Sequence, residues 1–345
     1  MKRAAILRFI HDFLRAVFLF ALFTGNLRAQ DPSIDRPILG FTVDQTRASI
    51  SPIVGVVGAS VLDQSFELGI DVQNVVISPE HNYALAERSE DAKIILLKFL
   101  QNTPTVIELP ALETGQSLIT ISPRGTAVAV LNRASGFLQT LRGMPDAPEL
   151  VHQFDMSLIS GEPTGVAVND DGTIALINVA DGEAGTNTAW VSSSNGALWA
   201  VPSSHVSTMA FLPRRYDAIF ADADSQEIFL VLDLNGTGNR IPLLSLNGPA
   251  GTLINVGASQ DGRLLYALSA GSQAVTIVGA ETYTSTVIDC SCSPTRLERL
   301  RENAVLLDAP PANLLHVLDV SAAEPRIVII PAQPTATQLK SSEGQ

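Results

Sequence analysis

Cysteine is nearly absent: the chain of 345 residues has two, Cys290 and Cys292. So few exclude a fold held by a disulfide framework. A bridge across one intervening residue is strained. The plain reading of Cys290-Ser291-Cys292 is therefore two small apolar residues at a strand end, with a redox or metal role as the alternative. Histidine is also scarce, and His81, His152, His205 and His316 stand far apart, with no two at ligand spacing. The signatures Gly-x-Ser-x-Gly, Ser-x-x-Lys and His-Glu-x-x-His are missing. A linear catalytic motif is thereby excluded, although a ring fold still brings distant loops together. No apolar run reaches the roughly 20 residues of a spanning helix, so no stable membrane span is expected.

Basic residues are few, and five of them sit in the first 29 positions. Lys2, Arg3, Arg8 and Arg15 precede or flank the apolar run Ala16–Phe23, and Leu27-Arg28-Ala29 precedes Gln30. This pattern reads as a secretory signal peptide over 1–29, with an uncleaved anchor as the rival. No cysteine follows the apolar core, which argues against a lipoprotein. The expected location is secreted or periplasmic. Removing five basic residues and one acid (Asp12) from totals of 22 and 35 leaves 17 against 34, a net charge of −17. Such a surface repels nucleic acid phosphates and anionic lipid. The expected partners are a protein, a peptide, or a polar or cationic ligand in the cell envelope.

What is present is a repeat. The stretch Leu253–Val278 reads strand, polar turn, strand, short loop, strand. Its turn, Ser259-Gln260-Asp261-Gly262, has counterparts beginning at Ser78, Ser122, Asn169, Leu212 and Leu300, spaced 41–47 residues apart. Ser or Asn at the first position bonds the backbone ahead, Pro presets a dihedral, and Gly accepts a positive φ. The turn is thus a folding device. Repeats of this length with four strands each indicate an all-β fold, a β-propeller of seven blades of four antiparallel strands. Six repeats are full. The seventh blade is expected from strands within Ile38–Ile70, completed by Thr335–Leu339. Six blades plus an N-terminal extension is the alternative. The propeller domain is read as 30–336, followed by a disordered tail at 337–345.

The phrases Ile121-Ser122-Pro123-Arg124-Gly125, Val168–Gly172 and Ser259–Gly262, each followed by a strand and a short loop, resemble those of YVTN-type and NHL-like propellers of exported bacterial proteins. The resemblance covers about residues 71–330 and implies the fold; lactonase-type propellers are relatives in shape. The Tyr-Val-Thr-Asn tetrapeptide itself is absent.

In such a ring, loops between second and third strands share one face with the inter-repeat connections. That face carries Arg88 (beside Glu87), Asn132, Arg133, Asn178 (with Asp181 and Glu183), Asp222, Asp224, Ser269 and Asp308, and the connections add Glu162 and His205. One reading is that these residues solvate loop tips and cap strands. The other is that Arg88, Asn132, Arg133, Glu162, Asn178, His205, Asp222 and Asp224 converge on the channel mouth and bind a ligand. The expected function is a binding or interaction scaffold, with a lactonase-like hydrolase or lyase as the alternative. No cofactor is expected. Asp222-Ala223-Asp224-Ser225 suggests calcium, but Gln226 and Glu227 stand where a calcium loop has an oxygen ligand and a Gly, which leaves a looser calcium site as the alternative.

Overall fold

The computed structural model describes residues 36–331, apart from residues 48, 67, 101–102, 110–111, 183–184, 204, 246–252, 270–272, 309–313 and 323. The signal segment, Glu183, Thr335–Leu339 and the tail lie outside the described residues. The described strands belong to one compact unit beginning at Pro37.

Seven antiparallel meanders follow one another along the chain. Blade 1 comprises β1 (Ile38–Asp44), β2 (Ser49–Val56) and β3 (Ala59–Leu62). Blade 2 has β4 (Val72–Ile77), β5 (Tyr83–Arg88), β6 (Ile94–Leu100) and β7 (Thr103–Glu108). Blade 3 has β8 (Ser117–Ile121), β9 (Ala127–Asn132), β10 (Phe137–Arg142) and β11 (Glu149–Asp155). Blade 4 has β12 (Glu162–Val168), β13 (Ile174–Asp181), β14 (Thr186–Ser193) and β15 (Leu198–Ala200). Blade 5 has β16 (Val206–Phe211), β17 (Ala218–Asp222), β18 (Glu227–Leu232) and β19 (Asn239–Ser245). Blade 6 has β20 (Leu253–Ala258), β21 (Leu264–Ser269), β22 (Ala274–Gly279) and β23 (Ser285–Asp289). Blade 7 has β24 (Glu298–Arg299), β25 (Ala304–Leu306), β26 (Leu314–Asp319) and β27 (Arg326–Pro331).

The apolar strands pack between blades. Among the described residues seven core clusters form, one at each junction, and Leu39 and Ile53 of blade 1 join Leu306, Leu315 and Val317 of blade 7 in the cluster that closes the ring. The fold is a seven-bladed β-propeller, and the six-bladed alternative is excluded. A strand buried on both faces needs no polar alternation. Accordingly β9 and β17 are buried at every position.

Blade 1 differs in register from the others. The strand β1 is buried at six of seven positions, as second strands are, whereas β8 and β16 line the axis and are mostly half-exposed. Asp44 Oδ1 also accepts from the Thr46 N–H at 3.0 Å, the same cap that Asn132 and Asp222 give the loop after a second strand. The three strands of blade 1 therefore fill the second, third and outer positions of a blade.

Two local expectations are corrected. The Gly, Asp and Asn of Ala180–Thr188 predict the longest of the loops between second and third strands. Instead β13 and β14 extend through most of it, pairing Asp181 with Thr186. Cys290 and Cys292 are not two free residues but are bonded to each other, with Cα atoms 5.0 Å apart.

The repeated turn works as its residues suggest. Ser122 Oγ accepts from the N–H groups of Thr126 and Ala127, and Ser259 Oγ from that of Leu264. Gly125, Gly172 and Gly262 adopt φ near +70°. The turns also join blades: the Tyr83 hydroxyl donates to Gly125 O at 2.9 Å, and Thr126 Oγ1 donates to Asp170 O at 2.7 Å.

Candidate functional site

The ends of the second strands carry a ring of buried polar side chains. Glu87, Asn132, Asn178, Asp222, Ser269 and Asp308 hold this register, all 8% exposed or less. A buried polar group costs free energy unless it is paired, and these groups are used within the fold. Glu87 accepts from Gln73 and Asn74 of its own blade and from the Ser117 N–H of the next. Asn132 Oδ1 caps the N–H groups of Ala134 and Ser135. Asn178 Nδ2 donates to Val206 O at 3.0 Å, tying blade 4 to blade 5. Asp222 accepts through Oδ2 from the Ser203 hydroxyl and the His205 N–H, and through Oδ1 from the N–H groups of Asp224 and Ser225.

The exposed members of the set pair nearby. Arg88 forks onto Asp91 at 2.7 and 2.8 Å and reaches Glu108 at 3.0 Å. The Arg88 guanidinium, helped by the Lys93 N–H, holds the Asp91 carboxyl well below its ordinary range. Arg133 and Glu162 meet at 2.9 Å across blades 3 and 4, and His205 Nδ1 lies 3.2 Å from Asp224. The structure thus joins Arg133 to Glu162, and His205 to Asp222 and Asp224, while Arg88 stands apart with its own partners. None of the eight residues lines any cavity described below. Both oxygens of Asp222 face N–H or O–H donors, which a calcium ion would have to displace.

The axial cavity lies toward the other end of the channel. Its volume is about 380 Å³. It is lined by the last residues of β4, β8, β12, β16 and β20, by β24, and by Val43 and Gln45 on the blade 1 side. Pro79 and Pro123 place it next to the repeated turns. Most of the lining is apolar. Gln45 and Thr120 add polar groups, and β24 and its approach bring the charged ones, Arg296, Glu298 and Arg299.

These charges are tied down. Arg296 Nη1 pairs with Glu298 at 3.1 Å, Nη2 donates to Thr42 Oγ1, and Nε donates to Asp308 O. Burial pushes the Glu298 carboxyl above its ordinary range, against the pull of Arg296. Arg299 Nη1 donates to Pro123 O of blade 3 at 2.7 Å, and Nη2 lies 3.6 Å from Glu80 of blade 2. Glu80 Oε1 in turn accepts from Gln260 Nε2 of blade 6 at 3.0 Å. A polar bridge therefore spans the channel at its turn end. Burial lowers the Arg299 pKa, and Glu80, Tyr266 and Asp170 oppose the shift.

This triplet lies outside the residues singled out from the sequence. The available signal was Arg296-Leu297-Glu298-Arg299-Leu300-Arg301, the one inner-strand segment dense in charge. A second hollow, about 600 Å³, lies on the turn face between Arg124, Arg142, Arg214, Arg215, Asp170 and Tyr216.

No protein-family model and no curated protein matches the chain. Solved structures do match. A functionally unknown protein from Desulfotomaculum acetoxidans is 16% identical, with TM-score 0.55, over 85% of this chain and all of that one. A protein from Lactobacillus plantarum is 15% identical, with TM-score 0.56, over 85% of this chain and 96% of that one. Hydrazine synthase from Kuenenia stuttgartiensis is 12% identical, with TM-score 0.50, over 89% and 99%. At these identities the likeness is one of fold.

Proposed function

We propose that this chain is an exported β-propeller of the YVTN or NHL kind that acts as a binding scaffold, holding a polar or cationic ligand, or a peptide end, in its axial channel. The observation that carries this reading is the cavity of about 380 Å³ with the Arg296–Glu298 pair set into apolar strand ends. Its size falls in the range of small-ligand sites, which combine apolar walls with a few placed polar groups. The opposite face supplies a polar rim at Arg133, Glu162, His205 and Asp224 for a larger partner. The hydrolase or lyase alternative needs His205, Asp222 and Glu162 in one pocket, and Glu162 is instead paired with Arg133.

The test is affinity capture from the source envelope fraction with three proteins: wild type, Glu298→Ala in the channel, and Arg133→Ala with Asp224→Ala on the rim. A partner held by wild type and lost by Glu298→Ala supports the channel. Loss by the rim variant alone moves recognition to the loop face. No partner from any of the three, with turnover of a lactone or ester substrate, overturns the scaffold reading.

A further inference from the structure

Among the described residues, one set of three His, Cys, Asp or Glu side chains brings its ligating atoms within 4.8 Å of one another: Cys292 Sγ, an Asp308 carboxylate oxygen and a His316 ring nitrogen. Three segments deliver them to the junction of blades 6 and 7. Cys292 lies in the connection after β23, Asp308 follows β25, and His316 stands on β26. The corner is built from both sides. Asp308 Oδ2 accepts from the backbone N–H of His316 at 2.9 Å and is also bonded to His316 Nδ1. Arg296 Nε fixes the Asp308 carbonyl at 2.7 Å. Val275, Ile277, Val305, Leu307 and Leu318 surround the cysteines with apolar groups. Cys290, bonded to Cys292, is 2% exposed, and Cys292 6%.

We propose that Cys290, Cys292, Asp308 and His316 form a redox-gated site for a borderline divalent metal ion such as zinc, closed as the disulfide and open as the dithiol. Reduction by an external thiol or phosphine delivers two electrons, breaks the S–S bond and adds a proton to each sulfur. The ion displaces both protons. It is then held by two thiolates, an imidazole nitrogen and a carboxylate oxygen, a four-coordinate set typical of zinc. Thiolate and imidazole disfavour calcium and magnesium, which take oxygen ligands. Oxidation by an external disulfide withdraws the two electrons, restores the S–S bond and releases the ion. The bonds from Arg296 and from the β26 backbone play the orienting part that outer partners play around a metal.

The test uses the full chain with cobalt as spectroscopic probe and zinc as competitor. Reduced protein is expected to bind one equivalent of cobalt with a thiolate-to-cobalt charge-transfer band that zinc abolishes. Oxidised protein shows no such band. Cys292→Ser and His316→Gln, each removing a ligand, weaken binding by more than the roughly tenfold that loss of an outer partner costs. A reduced chain that lacks the band, or that loses its sheet circular dichroism on reduction, overturns the proposal. So does equal affinity in the oxidised form. The comparison of oxidised with reduced wild type decides the matter even where a variant does not fold.

Discussion

At the scale of single residues, two neighbouring acids have opposite roles. Asp222 is 1% exposed and accepts from four donors, whereas Asp224 is exposed and faces His205. Removing a buried acceptor strands its donors, which costs about 1–3 kcal/mol and more for a charged group. An exposed pair contributes roughly 0–1 kcal/mol. Asp222→Ala is therefore expected to lower the urea midpoint by an amount equivalent to about 2–3 kcal/mol, and Asp224→Ala to leave it nearly unchanged. Equal midpoints for the two variants would refute the capping role. For the same reason an Asp222→Ala/Asp224→Ala double variant confounds folding with binding. Asp224→Ala with Arg133→Ala is the cleaner probe of that face.

At the scale of elements, the repeated turn both ends one strand and stitches three blades. Asp170, in the blade 4 turn, accepts through Oδ1 from the Arg124 N–H of blade 3 at 2.8 Å and through Oδ2 from the Arg214 N–H of blade 5 at 2.7 Å. Asp170→Ala leaves the turn itself intact, since Asn169 Oδ1 still holds the Ile174 N–H. The expected loss is about 1–2 kcal/mol from two charge-assisted bonds, read by thermal or urea unfolding, with Asp170→Asn losing part of it. An unchanged midpoint in Asp170→Ala would show that water replaces the stitch at no cost. The turns were legible in the sequence because Ser, Pro and Gly act locally: each bonds or presets the next few residues. Their spacing gave the blade count for the same reason. The stitches were not legible, because Asp170 meets Arg214 only once blades 4 and 5 have packed together. Nor was the use of Asn132, Asn178 and Asp222 as caps and latches. A polar residue at a strand end has the same spelling whether it faces a ligand or a backbone N–H, and three-dimensional neighbours decide which. The channel triplet Arg296, Glu298 and Arg299 was spelled plainly, but its use was not legible, because its partners Thr42, Pro123 and Glu80 lie on blades 1, 3 and 2 and meet it only across the channel.

At the scale of the whole molecule, the ring depends on the seam where blades 7, 1 and 2 meet, and His81 stands in it. Its ring is 1% exposed. Nδ1 accepts from the Phe41 N–H of blade 1 at 3.1 Å, and Nε2–H donates to Arg299 O of blade 7 at 2.6 Å. Both nitrogens are thus used by the neutral imidazole alone. Protonation would point a second N–H at the Phe41 donor. Burial, together with the charges of Arg301 and Arg299, lowers the pKa from 6.5 to about 4, although the bond to Arg299 O works the other way. The unfolded chain takes up the proton near pH 6.5 while the folded ring refuses it until about 4. Stability is therefore fully present above the upper value and lost as pH falls toward the lower one. A shift of this size corresponds to roughly 3 kcal/mol at most. His81→Asn keeps a residue that tolerates the local φ of +55° but removes the titrating group. Urea unfolding of wild type should weaken from about pH 7.5 to about pH 5 more steeply than that of His81→Asn, which starts from a lower stability at the higher pH. Half-buried His152, whose pKa burial also lowers, contributes equally to both proteins and cancels in the comparison. Parallel slopes would mean that the seam opens by a route that does not charge His81, and the acid sensitivity of the ring would then lie elsewhere.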